Sequence, residues 1–163
     1  MLLEKIKSLA AQSAAENIQI RRHLHAHPEL SYQEFETCKY VQAQLKAIGI
    51  PFTVIATTGV LGIIEGKNPT KRVIALRADM DALPILEENN IDYKSTKDGV
   101  MHACGHDVHT TILLGAAKIL WSLREEFEGT IKLLFQPGEE KNPGGASYMI
   151  RDGALQNPAP QGI

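Results

Sequence analysis

The sequence has little of what would assign a class at once. Its 163 residues include two cysteines, Cys38 and Cys104. No disulfide framework is therefore suggested, and a reducing cytoplasm is the default setting. Basic and acidic residues nearly cancel, with a formal net charge of −2. That removes the electrostatic reason to expect nucleic acid or an anionic membrane as a partner. No apolar run is long enough to cross a bilayer. There is no internal repeat and no low-complexity segment. The opening stretch, MLLEKIKSLAAQSAAENIQIRRHL, mixes charge with apolar residues at helical spacing, so it reads as a helix rather than a signal peptide. What is present is an ordinary globular composition in a chain long enough to bury one core.

Hydrophobic periodicity divides the chain. The first helix should stop at Pro28. SYQE reads as a capping box, Ser31 with Glu34, opening a second helix towards Ile48. Its apolar face would carry Phe35, Cys38, Val41 and Leu45, making Cys38 a core thiol. PFTVIATTGVLGIIEG reads as two strands around a Thr58-Gly59 turn, and RVIALRAD as a buried strand ending in acids. A polar loop from Ala82 to Ala103 follows. Asp107 is placed to cap a helix with Ile112, Leu113, Ala116, Ile119 and Leu120 on its apolar face. GTIKLLFQPGEE predicts a strand over Thr130 to Phe135 that breaks at Pro137. GGASYMIRDG suggests a short helix closed by Gly153, and the tail offers no closing element. Alternating strands and helices predict an α/β fold.

Three polar clusters then fall at the carboxyl ends of predicted elements: Asp79 with Asp81, the stretch CGHDVH from Cys104 to His109, and Glu139 with Glu140. In open α/β sheets that edge binds ligands. Gly105 is flexible enough to fold Cys104 and His106 onto one ion. A thiolate with an imidazole suits zinc, cobalt or nickel, and manganese accepts imidazole with carboxylates. His102 lies four residues before His106, but Gly105 argues against a helix there. His109 reads as a structural group, or one that supports the ligands from behind, in the first turn of the following helix. His23, His25 and His27, spaced by two, point in different directions on a helix and read as helix-end and packing groups. Two adjacent glutamates cannot share one direction. One can therefore hold a metal while the other faces the water to be activated. Asp81 is suited to accept a hydrogen bond from a histidine ligand. Asp79 either supports the site or caps a strand end.

Taken in order, RRHLHAHPELSYQEFET, LRADMDALP, GVMHACGHDVHTTILLGAAKIL and LLFQPGEE resemble the metal-dependent amidohydrolases that cleave N-acyl amino acids. That group contains hippurate hydrolases, auxin–amino-acid conjugate hydrolases, aminoacylases and carboxypeptidases. The resemblance runs from about Arg21 to Gly153. It implies a zinc-peptidase-like catalytic domain, a central mixed sheet flanked by helices, and two divalent transition metal ions (Zn, Mn, Co or Ni). On the matching positions, Cys104 would bridge the metals, with His106 and Glu140 as further ligands. Glu139 would be the general base, and Asp81 the orienting aspartate. Asp79 stands where the wider superfamily has a histidine ligand. The implied substrate is a small-molecule N-acyl amino acid, with neither nucleic acid nor membrane as partner. Enzymes of this group are more than twice as long, with two further histidine ligands and a smaller domain for substrate binding and dimerisation. Residues 1–163 are thus expected to be the amino-terminal part of the catalytic domain. The lid, the carboxyl-terminal catalytic segment and any homodimer would belong to the intact enzyme. Alone, the chain is expected to hold at most one ion and to be inactive. The other reading is a non-catalytic metal-binding or interaction module that retains half of the site.

Overall fold

The structure, a computed structural model, describes residues 1–163. Its elements follow chain order: α1 (Leu2–Ala26), α2 (Phe35–Ile48), β1 (Phe52–Ile55), β2 (Gly59–Glu65), β3 (Val73–Asp79), α3 (His106–Ser122), β4 (Thr130–Gln136) and α4 (Gly145–Arg151). The sheet runs β1-β2-β4-β3. β4 is antiparallel to β2, with Val60 opposite Phe135. It is parallel to β3, with Asp79 opposite Gln136. The mixed sheet implied by the resemblance is therefore present. The parallel pair needs a crossover, and α3 supplies it. As a result β3 and β4 end side by side, and the segments after Asp79 and Gln136 leave the sheet at one rim.

All seven residues of β4 are buried, because both faces of the sheet are covered. Ile131, Leu133 and Phe135 join Ile20 and Leu24 of α1, Val41 and Leu45 of α2, and Leu113 and Leu114 of α3 in the larger core. Each such side chain, fully buried, contributes about 1.5–3 kcal/mol. Leu134 faces the other way, towards Met149 of α4 and Ala154. Lys132 is wholly buried on that same face. Its ammonium donates to the main-chain oxygens of Gln156 and Pro158 at 2.8 and 3.1 Å, which anchors the tail. The tail forms no regular element, yet it does not leave β3 bare. Gln161 N–H donates to Val73 O, and Ala75 N–H donates to Gly162 O. No helix is long and apolar enough to cross a membrane.

Local expectations fail in three places, each for a tertiary reason. Ser31 and Glu34 form no capping box, since α2 has no side-chain cap at Glu34. Glu29 instead reaches in from the preceding loop and accepts from Thr37 N–H at 2.8 Å. Phe35 is 52% exposed, because the buried stripe through Leu45, Val41 and Cys38 continues to Glu34 rather than to Phe35. On α3 the buried stripe runs through Asp107, Thr110, Leu114 and Ala117, which leaves Ile112 62% exposed. That helix begins on Gly105, at φ 92°, and not on an Asp107 cap.

Candidate metal centre

Three chain segments meet at the rim: the residues after β3, the first turn of α3 with its preceding glycine, and the turn after β4. Gly105, in the left-handed region, turns the backbone sharply between Cys104 and His106. The ligand atoms of Cys104, His106 and Glu140 all lie within 4.8 Å of one another. His106 is buried and Cys104 is exposed. His106 Nδ1 stands 2.9 Å from the main-chain oxygen of Asp81. A carbonyl oxygen can only accept, so the proton sits on Nδ1 and the Nε2 lone pair is left facing the cluster. Nε2 is 3.7 Å from Glu140 Oε1 and 3.6 Å from Asp79 Oδ1.

The electrostatics favour a cation at this cluster. Hydrogen bonding to Glu140 pushes the Cys104 thiol above its ordinary range, with burial and the charges of Glu140, Glu139 and Asp79 adding to the push. At His106 burial works against the charged form, but Asp81 and Asp79 outweigh it and raise the imidazole's pKa. One thiol, one imidazole and one carboxylate suit a divalent transition metal, which competes with protons for the thiol and the imidazole.

Asp81 does more than face the imidazole. Its buried carboxylate accepts from Glu139 N–H at 3.0 Å through Oδ1, and from Glu140 N–H at 2.9 Å through Oδ2. Ser31 Oγ donates to the same Oδ2 at 2.6 Å. Burial pushes the Asp81 carboxyl up, yet hydrogen bonds from His106, Ser31 and the two amides bring it well below the usual carboxylate range. Nearby, the buried Glu34 accepts from Gly138 N–H and from Thr58 Oγ1, each at 2.7 Å. Tyr32 OH donates to Lys141 O at 2.7 Å and accepts from Gly144 N–H at 3.1 Å. Its ring lies against Gly138, where a Cβ would come within 2.2 Å. The sequence alone favours a helix cap for Ser31 and Glu34 and does not show their part here. The available signal was the density of polar residues in HPELSYQE, which exceeds what one cap needs.

Asp79 is buried and already matched. Its carboxylate meets Arg77 at 3.1 Å and His109 Nδ1 at 2.7 Å. Asp79, His106 and His109 also bring ligand atoms within 4.8 Å of one another, but His106 Nε2 can serve only one ion at a time. The set with Cys104 and Glu140 is the one short of positive charge. His102 is buried with neither ring nitrogen partnered, and burial pushes its pKa down to about 4. His23 stacks on Tyr40 at 4.3 Å, and His27 Nδ1 donates to His23 O. Both are packing groups, as their spacing suggested. His25 is different: its Nδ1 meets Asp107 at 2.7 Å and its Nε2 meets Glu87 at 3.1 Å.

Residues 75–163 match the model of peptidase family M20/M25/M40. The chain is 48% identical over 156 residues to an N-acyl-L-amino acid amidohydrolase of Geobacillus stearothermophilus, covering 95% of this chain and 42% of that protein. It is 50% identical over 141 residues to IAA-amino acid hydrolase ILR1-like 2 of Arabidopsis thaliana, covering 86% of this chain and 31% of that one. Among solved structures it superposes with a TM-score of 0.84 on the Bacillus subtilis YXEP protein, a dinuclear metal binding peptidase from the M20 family. The identity there is 42%, over 94% of this chain and 42% of that chain. The chain thus spans less than half the length of these relatives.

Proposed function

The chain belongs to peptidase family M20/M25/M40, and from that premise we propose that it carries part of a two-metal site for hydrolysing the amide bond of N-acyl amino acids. We read residues 1–163 as the amino-terminal part of the catalytic domain, with the lid and the remaining ligands supplied by other parts of the whole protein. Cys104, His106 and Glu140 would hold the ion. Zinc, manganese, cobalt and nickel all suit these donors. The observation that carries the reading is the convergence of these three ligand atoms within 4.8 Å. It occurs beside a glutamate pair whose amides are held by one Asp81 carboxylate.

When bound, a divalent ion lowers the pKa of water and polarises the amide carbonyl. Glu139 takes the proton of the attacking water as the new C–O bond forms. It then returns that proton to the departing amine nitrogen as the C–N bond breaks. Asp81 keeps the two glutamates in fixed relation, and its main-chain oxygen holds His106 in the tautomer that presents Nε2. A non-catalytic metal-binding module is the second reading for residues 1–163 alone. One observation favours it: the three converging donors fit one ion, and His106 offers one free nitrogen.

In a whole protein carrying this segment, Glu139→Gln should keep its metal and lose turnover by about 100-fold or more. Glu140→Gln should lower metal content instead. Metal analysis with a hydrolysis assay on N-acetyl and N-benzoyl amino acids reads both, and exchanged phenotypes would reverse the two roles. For the 163-residue chain the same assays should give at most one ion per chain and no turnover above background. Genuine turnover would sink the second reading.

A further inference from the structure

We propose that Glu34 is a positioning residue that sets the loop carrying Glu139 and Glu140, an inference that rests on the roles just given to that pair. Three consecutive N–H groups of this loop, those of Gly138, Glu139 and Glu140, end on two buried carboxylates. Glu34 Oε1 takes the first at 2.7 Å. Asp81 takes the second and third at 3.0 and 2.9 Å. The two carboxylates come from different elements, the start of α2 and the end of β3, so the loop is gripped from two sides. Gly138 sits at φ 54°, where a glycine pivots freely. Asp81 alone would fix the glutamates but leave that pivot open, and Glu34 closes it.

The cost of this arrangement points the same way. Glu34 is fully buried, and its side-chain partners are the Thr58 hydroxyl and the Gly138 amide, with no cation among them. A buried carboxylate without a counter-ion opposes folding, and an apolar side chain in the α2 stripe would pack at no such cost. What the carboxylate provides is an acceptor for a loop amide that nothing else reaches. The carboxylate's other partner, Thr58, lies in the turn between β1 and β2. The grip of Glu34 on Gly138 then decides where Glu139 and Glu140 point.

Amide hydrogen exchange in the metal-free chain, with Co²⁺ titration followed by thiolate–cobalt absorption, tests the proposal. Glu34→Ala should speed exchange at Gly138 by about tenfold or more, confined to residues 138–141, and weaken Co²⁺ binding to a similar degree. Glu34→Gln keeps an oxygen for the amide but loses the charge, so several-fold changes are expected. Thr58→Val removes the other partner while leaving Gly138 held, and should leave loop exchange and Co²⁺ affinity at parental values. Parental exchange at Gly138 in Glu34→Ala overturns the proposal, as does an equal rise in Thr58→Val. If Glu34→Ala does not fold, Glu34→Gln carries the test. Several-fold faster exchange confined to the loop supports the assignment, and parental exchange there overturns it. Should Glu140→Gln leave Co²⁺ affinity unchanged, the ligand reading fails by itself. Exchange at Gly138 then still decides whether Glu34 sets the loop.

Discussion

His106 and Asp107 are neighbours in the first turn of α3, yet they belong to two clusters of nearly the same composition. Asp107 turns inward to a buried set, where His25 lies between Asp107 and Glu87 and Arg21 meets Asp107 at 3.0 Å. His106 turns to the rim, where it meets Cys104 and Glu140. Each cluster joins imidazole to carboxylates, so residue types do not separate them. Pairing does. In the interior each nitrogen of His25 has a carboxylate partner, and a guanidinium shares the load. At the rim the donors face one another, Cys104 is exposed, and acidic groups raise the pKa of both thiol and imidazole. A cluster matched by its own counter-charges is structural. One that is short of positive charge is a place for a cation.

The largest expected effect separates the clusters by what each loses. His106→Ala should lower ion affinity by about 100-fold or more. His25→Ala should cost about 3 kcal/mol in denaturant unfolding, because two buried carboxylates each lose a donor. Its ion affinity should stay near parental. Isothermal titration with Zn²⁺ beside urea melts reads both, and loss of ion binding in His25→Ala would break the distinction.

Alkylation sharpens the contrast through the two thiols. Cys104 is exposed, whereas Cys38 is 4% exposed in the core. In folded, metal-free chain only Cys104 should label, and faster as pH rises, since Glu140 helps to keep its proton on. Added metal should slow that labelling by about tenfold or more, and Cys38 should react only on unfolding. Equal labelling of both, with or without metal, would remove Cys104 from the site.

Acid should dismantle the two regions in order. Ion binding needs the thiolate and the neutral imidazole. Both groups have raised pKa values, so affinity should fall on mild acidification while the fold persists. Glu87 has the opposite shift. Burial pushes its carboxyl up, but the amide of Ser95, His25 and Asn89 bring it down to about 2. A depressed carboxylate stabilises above its unfolded value, and that contribution is lost as pH falls through the folded one. Thermal melts should therefore drop between the ordinary glutamate range and about pH 2, less steeply in Glu87→Gln than in the parent. An identical acid slope in the variant would remove Glu87 from the account. This is the smallest of the three effects, because Asp81 titrates in the same sense.

Much of this is legible in the sequence alone. Periodicity marked the helices and strands to within a few residues, since alternating or three-to-four spacing is a local consequence of backbone geometry. Cys104 and His106 could be paired on sequence because one flexible glycine separates them. Glu139 and Glu140 could be given different directions because adjacent side chains diverge. Tertiary structure alone decided which distant segments meet. The parallel pairing of β3 with β4 across α3 brings Glu140 to Cys104 and Asp81 to both glutamate amides. It also drew Ser31 and Glu34 out of the helix cap that their spacing favours. A cap is worth about 1 kcal/mol, whereas a buried loop amide without an acceptor costs about 1–3 kcal/mol. A sequence pattern sets which way a side chain leaves its own backbone, and only packing sets which unpaired amide or charge waits at the other end.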